Sequence, residues 1–299
     1  MKPIANVAFI GLGNMGVPMA ARLVAQGFSL ALFDVRPEAS RGFVAAHGGR
    51  AAGSLTDALR DAEAVITMLP THDLVHEVML GGGGVASTLA AGSVAIDMGT
   101  SDPRATVEIG SALQSHGIAY VDAPVMGGVV FARNGSLDVL AGGRNEDIDR
   151  CLPIFTALGR RVLHCGALGS GHALKALANY VNAGALVTLI EALAIGRKFG
   201  LDTGMMANAL VDLCAGRQHP LEKKVIPEVL TRKFGSGMAL GLIAKDVSIA
   251  ADFGHSIGAM TSIVDCVRDV WCKAVAEVGY NADQTEVARL WEKSNGIEL

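Results

Sequence analysis

Two polar side chains stand four residues apart in a segment that has little use for them. Lys175 and Asn179 lie in Gly169-Ser-Gly-His-Ala-Leu-Lys-Ala-Leu-Ala-Asn-Tyr, and nearly every residue from Ala173 to Ala194 is apolar or small. Residues four apart share a helix face. An amine beside an amide on such a face suits proton exchange with a hydroxyl or carbonyl. Burial disfavours the ammonium form and draws a lysine toward neutrality, and the amide can orient the reacting group. The competing readings are a lysine paired with an acid and one that snorkels to water. Lys245, a second lysine within an apolar stretch, has Asp246 beside it and reads equally as half of a structural ion pair.

The other chemistry-bearing stretch is Gly11-Leu12-Gly13-Asn14-Met15-Gly16. The β-forming run Asn6 to Ile10 precedes it, a helical stretch from Val17 to Gln26 follows, and Ser29 to Phe33 is the next strand, ending at Asp34. Strand, G-x-G-x-x-G, helix, strand and acid in one short unit form a dinucleotide site. Gly11 permits the tight turn, Gly13 lets the backbone approach a pyrophosphate, and Gly16 allows close helix–strand packing. The helix N-terminus offers free N–H groups to phosphate. A carboxylate at Asp34 accepts from ribose hydroxyls and repels a 2′-phosphate, which favours NAD. Arg36, two residues on, could hold that phosphate instead, so NADP stays possible.

The elements that must position these groups follow from the alternation of patterns. Strands are expected at Ala64 to Leu69, Ser93 to Asp97, Ile118 to Val121, Leu137 to Ala141 and Arg161 to His164. Helices are expected at Asp73 to Leu80, Arg104 to His116 and Glu146 to Leu158. This βαβ succession predicts a parallel sheet with helices on both faces, whose ligands lie beyond the carboxyl ends of the strands. Leu69, Pro70 and Thr100 fall at those ends. Leu69 and Pro70 either line the nicotinamide or pack as ordinary loop. Asp122-Ala-Pro-Val-Met126-Gly127-Gly128 is a second glycine-bearing loop, which can turn N–H groups toward an anion or form a plain turn. The long helix is bounded by Ser170 as N-cap and by Gly200, and its composition predicts burial on most sides rather than a membrane span. Beyond it only helical patterns remain: Thr203 to Cys214, Pro220 to Thr231, Leu240 to Phe253, Ala259 to Val278 and Thr285 to Lys293.

The expected fold is thus an α/β Rossmann-type N-terminal domain plus an all-α C-terminal domain joined by a long interdomain helix. The segments are 1–165, 166–200 carrying Lys175, and 201–299. A chain of 299 residues, 51% hydrophobic with net charge −4, can bury two cores and has no electrostatic case for nucleic acid or an anionic membrane. Five cysteines without a C-x-x-C point to a reducing cytoplasm and to no metal site. His72 and His76 are four apart but lack a third ligand.

Four motifs in order, Phe9 to Gly16, Asp122 to Gly128, Gly169 to Asn179 and Lys245-Asp246, resemble the β-hydroxyacid dehydrogenase family across almost the whole chain. The resemblance implies catalysis by Lys175 with Asn179 beside it, and dinucleotide contacts from Asn14, Met15, Asp34, Leu69 and Thr100. It also implies substrate contacts at residue 126, Gly127, Gly128, Asn179 and Asp246, with Lys245 near the cofactor. The family usually carries serine where this chain has Met126. A thioether is a weak acceptor, so the substrate anion would rest on backbone N–H groups. The implied reaction interconverts a small β-hydroxy acid, of the 3-hydroxyisobutyrate kind, and its aldehyde or ketone. Reduction of a sulfonate or semialdehyde such as sulfolactaldehyde or tartronate semialdehyde is the alternative. A non-catalytic dinucleotide-binding module and an imine reductase are the rivals, and the retained lysine argues against both. Apolar C-terminal helices suggest a homodimer or homotetramer.

Overall fold

A computed structural model describes residues 4–216 and 219–299. The chain forms two compact units, Met1–Tyr180 and Val181–Leu299. The first is built on strands β1 (Asn6–Ile10), β2 (Ser29–Phe33), β3 (Arg50–Ala51), β4 (Ala64–Thr67), β5 (Val94–Asp97), β6 (Ala119–Asp122), β7 (Val125–Met126), β8 (Leu137–Gly142) and β9 (Gly159–Gly166). Between them run helices α1 (Gly16–Ala25), α2 (Pro37–His47), α3 (Leu55–Leu59), α4 (His72–Leu80), α5 (Val85–Thr88), α6 (Pro103–Ser115), α7 (Val129–Asn134) and α8 (Asn145–Leu158). One sheet takes the order β3-β2-β1-β4-β5-β6-β8-β7, with β9 paired to β8.

Alternation along the strands separates two apolar layers. Val7, Phe9, Ile66 and Ile96 pack with Met19 and Leu23 of α1 and Ile148 and Phe155 of α8. Ala8, Ile10, Val65 and Ala95 pack on the other face with Val75 and Met79 of α4 and Ile109 and Leu113 of α6. Each large side chain buried this way contributes about 1.5–3 kcal/mol. The expectation of a wholly parallel sheet is corrected at one edge, because β8 runs antiparallel to both β6 and β7. The Asp122 to Gly128 loop therefore contains a short strand, β7, that turns back on β8.

Register aligns the chemistry. Ile10 stands opposite Phe33 and Thr67, Thr67 opposite Asp97, and Asp97 opposite Asp122. The segments that follow, carrying Gly11, Asp34, Leu69 and Thr100, therefore leave the sheet along one edge, while Val125 continues into β7.

Helix α9 (Ser170–Phe199) is one unbroken element. Ser170 is its first residue rather than its cap. Gly169 (φ +91°) and Gly200 (φ +110°) bound it, in the left-handed conformation that glycine takes readily. Burial on most sides is not observed: Leu177 is 61%, Val181 64% and Leu186 59% exposed within the chain. Composition reports that a face wants covering, not what covers it. By length and composition alone α9 could also cross a membrane.

The second unit holds α10 (Thr203–Leu210), α11 (Leu240–Ser256), α12 (Ser262–Val278) and α13 (Arg289–Asn295). Val211–Gly216 and Leu221–Val229 are π-helical, not continuations of α-helices. Pro227 lies inside the second of these, and Leu230 N–H bonds back to Val225 O, five residues away. A proline removes a main-chain donor and crowds the preceding turn, which the wider π turn accommodates. Leu240, Ala274 and Leu290 form the small buried core, against Val270, Trp271 and Val287. Glu191 of α9 accepts Ile263 N–H at 3.0 Å and Val264 N–H at 2.8 Å, satisfying the start of α12.

Candidate active site

The turn after β1 has room where a dinucleotide needs it. Gly11 sits at φ +100°, and a Cβ there would come 2.5 Å from Met68 O. A Cβ on Gly16 would come 2.0 Å from Gly11 O, so the start of α1 packs directly on the turn. A Cβ on Gly13 would meet nothing within 4 Å: that position is open. The residues thus fit a pyrophosphate, two glycines closing the turn and the third leaving approach free. Asp34 Oδ2 accepts Leu12 N–H at 2.8 Å, while Oδ1 accepts from Arg36 N–H at 2.9 Å and Arg36 Nε at 3.1 Å. Burial alone would raise the Asp34 pKa; the bonds from Arg36 and Leu12 outweigh it and hold the carboxyl below its usual range.

Beside the turn lies a cavity of about 730 Å³, lined by Leu12, Gly13, Asn14, Arg22, Arg36 and Arg133 among others. Arg22 and Arg133 were not singled out in the sequence. Arg22 sits on α1 and Arg133 on α7, helices that meet only in the fold, so no linear spacing could have paired them.

Lys175 lies on the second turn of α9, half-buried. Its Nζ donates to Val125 O at 2.6 Å and lies 3.2 Å from Met126 Sδ. Both partners come from β7, and neither is charged. Burial lowers the Lys175 pKa from its ordinary value. Asn179 is exposed one turn further on. Gly127 (φ +126°) and Gly128 (φ +80°) follow Met126 and lead into α7. Thr100 and Pro70 are exposed and Leu69 is half-buried, each just past a strand end. Met98 is fully buried and belongs to the core. Lys245 and Asp246 are paired with each other at 3.1 Å on α11 of the second unit, both more than half exposed.

Beneath Lys175 lies a buried polar cluster that the sequence did not reveal. Asp97 accepts from Thr67 Oγ1 at 3.0 Å, Gly99 N–H at 3.0 Å and Ser101 Oγ at 2.6 Å. His172, fully buried, has Nδ1 2.8 Å from Thr106 Oγ1 and Nε2 3.5 Å from Asp97 Oδ2. Asp122 accepts Gly169 N–H and His172 N–H, each at 2.7 Å. Burial pushes the nearby Tyr120 hydroxyl well above its ordinary pKa, and Asp97 and Asp122 add to the rise.

Two family descriptions match the chain: "NAD binding domain of 6-phosphogluconate dehydrogenase" over residues 6–166, and "NAD-binding of NADP-dependent 3-hydroxyisobutyrate dehydrogenase" over residues 169–291. The 2-(hydroxymethyl)glutarate dehydrogenase of Eubacterium barkeri is 30% identical over 299 residues, 100% of this chain and 99% of that one. The chain belongs to the β-hydroxyacid dehydrogenase family. The 3-sulfolactaldehyde reductase of Escherichia coli (strain K12) is 33% identical over 91% of each chain. Among solved structures, 3-hydroxyisobutyrate dehydrogenase of Mycobacterium tuberculosis with L-serine superimposes with TM-score 0.67 at 30% identity, covering 96% of this chain and 99% of that one. As a member of the β-hydroxyacid dehydrogenase family the chain is an NAD(P)-dependent oxidoreductase with a Rossmann-type first domain and a helical second one.

Proposed function

We propose that this enzyme interconverts a small β-hydroxy acid and its aldehyde or ketone, with Lys175 as acid–base. The observation that carries the reading is a half-buried amine whose contacts among the described residues are neutral groups, Val125 O and Met126 Sδ. Bound nicotinamide supplies or accepts the hydride. In oxidation the neutral Lys175 amine takes the alcohol proton. In reduction the ammonium returns it and stabilises the developing oxyanion. Asn179, one turn on, orients the hydroxyl. Met126 offers no hydroxyl to the substrate acid, so Gly127 and Gly128 N–H groups take that role, with Asp246 at the substrate and Lys245 at the cofactor.

The segments 1–165, 166–200 and 201–299 then carry cofactor, proton transfer, and the remaining cleft and association surface. NAD is the proposed preference: a carboxylate at Asp34 would repel a 2′-phosphate, and Arg36 is bonded to that carboxylate. Leu69, Pro70 and Thr100, past the strand ends, flank the nicotinamide. Five free cysteines accord with a cytoplasmic setting. The uncovered apolar residues of α9 accord with a homodimer or homotetramer.

Lys175→Ala tests the assignment. Turnover falls by about 10²–10⁴, the usual share of acid–base catalysis, while binary cofactor affinity changes little. In the parent, the oxidation rate climbs with pH as the neutral amine forms, with a midpoint below the ordinary 10.5. The reduction rate falls over the same window. The variant lacks both inflections. Near-parental turnover refutes the assignment.

A further inference from the structure

Asp122 is fully buried at the end of β6, and both of its oxygens are spent on the start of α9. Oδ1 accepts Gly169 N–H and Oδ2 accepts His172 N–H, two donors that a helix start leaves without intrahelical partners. The surrounding backbone is shaped to it. A Cβ on Gly142 would lie 2.4 Å from Oδ1, and one on Gly171 would lie 2.8 Å from Oδ2.

We propose that Asp122 is a positioning residue for the reaction: it docks the start of the catalytic helix on the strand segment whose Val125 carbonyl holds the Lys175 amine. This rests on the reading of Lys175 as the acid–base. The geometry supplies the lever. Asp122 is three residues before Val125, and His172 is three residues before Lys175. One carboxylate therefore ties both partners of the 2.6 Å contact close to where they meet. Three residues of helix span about 4.5 Å and act as a rigid arm, so a shift at His172 passes to the amine. The His172 ring adds a second tie from α9, reaching Thr106 of α6 at 2.8 Å. The dock thus connects α9 to the end of β6 and to α6.

Asp122→Asn keeps the shape but replaces one acceptor oxygen with an NH₂ group that faces a backbone N–H. Misplacing a reacting group by about 1 Å costs on the order of 10²-fold in rate. Against 3-hydroxyisobutyrate, or whichever hydroxy acid the parent oxidises fastest, kcat of Asp122→Asn falls on that order. KM and cofactor affinity, the latter read by nicotinamide fluorescence, change little, because the carboxylate touches neither substrate nor cofactor. The pH midpoint of oxidation moves upward, because a released amine is better hydrated. The deciding measurement is the cycle with Lys175→Ala: once the amine is gone, Asp122→Asn costs no further turnover.

Unchanged kcat in Asp122→Asn overturns the proposal. So does an equal loss with and without the Lys175 side chain, which would make the carboxylate a general support of the fold. Should the Asn variant not fold, Asp122→Glu retains the charge and displaces it by one methylene; parental kcat there overturns the proposal equally. Parental turnover in Lys175→Ala alone instead fails the lysine reading, which separates the two failures.

Discussion

A methyl group at Gly13 would separate folding from binding. Gly13 is not among the glycines with positive φ, and a Cβ there meets nothing within 4 Å. The folded chain therefore accommodates Gly13→Ala without strain. Restricting the unfolded chain at a compatible glycine contributes about 0.4–1 kcal/mol of stability, a rise in Tm of about 1–3 °C for a chain of this size. In the proposed cofactor site, the same open space is the approach of the pyrophosphate. Overfilling a fitted site costs about 1–3 kcal/mol, so the dissociation constant for NAD rises about 5- to 150-fold. Titration by nicotinamide fluorescence, beside a thermal melt, reads both quantities. Gly11→Ala is the contrast: at φ +100° with Met68 O 2.5 Å from the new Cβ, it lowers Tm as well as affinity. An alanine at 13 that leaves both Tm and affinity unchanged would refute the placement of the phosphate path. One that lowers Tm would refute the packing argument.

On the proposed preference for NAD, Asp34→Asn removes the charge that would repel a 2′-phosphate and releases the Arg36 guanidinium that it holds at 3.1 Å. A hydrogen bond to a charged group is worth about 1.5–3 kcal/mol, so the ratio of NADP to NAD affinity rises at least about tenfold; an unchanged ratio would remove Asp34 from cofactor choice. Glu191→Ala strips the acceptor from two N–H groups at the start of α12. Losing such a cap costs about 0.5–2 kcal/mol, and thermal melting should show Tm lower by several degrees with cofactor affinity unaltered.

What the sequence disclosed was local. The turn from β1 into α1 and the acid at Asp34 are specified within one short stretch, and Gly169 and Gly200 bound α9 by their own conformational freedom. What it concealed depends on partners distant along the chain. Asp97, Asp122 and His172 are brought together by strand register and by the docking of α9, so no linear spacing reports that they meet, even though Asp122 and His172 each lie within a motif. The direction of β8 was hidden because an alternating strand pattern is the same read either way. The π turns at Val211–Gly216 and Leu221–Val229 passed as α-helix because residues three to five apart still cluster on one face. The apolar surface of α9 was misread as core for the reason its composition suggested, since hydrophobicity does not name the surface that will cover it. The carboxylate of Glu191, an acid within that apolar run, completes another helix.

The acceptor facing the Lys175 amine is main chain, the Val125 carbonyl, in a strand whose register is fixed opposite Val139. Every amino acid offers that oxygen, so exchanging side chains at 125 or 126 leaves the amine anchored. On the proposed reading, descendants of this scaffold can therefore change the side chain at 126, and with it what meets the substrate, without moving the amine. A one-residue insertion between Asp122 and Val125 is the change they could not absorb, because it would present the opposite edge of the strand to the lysine.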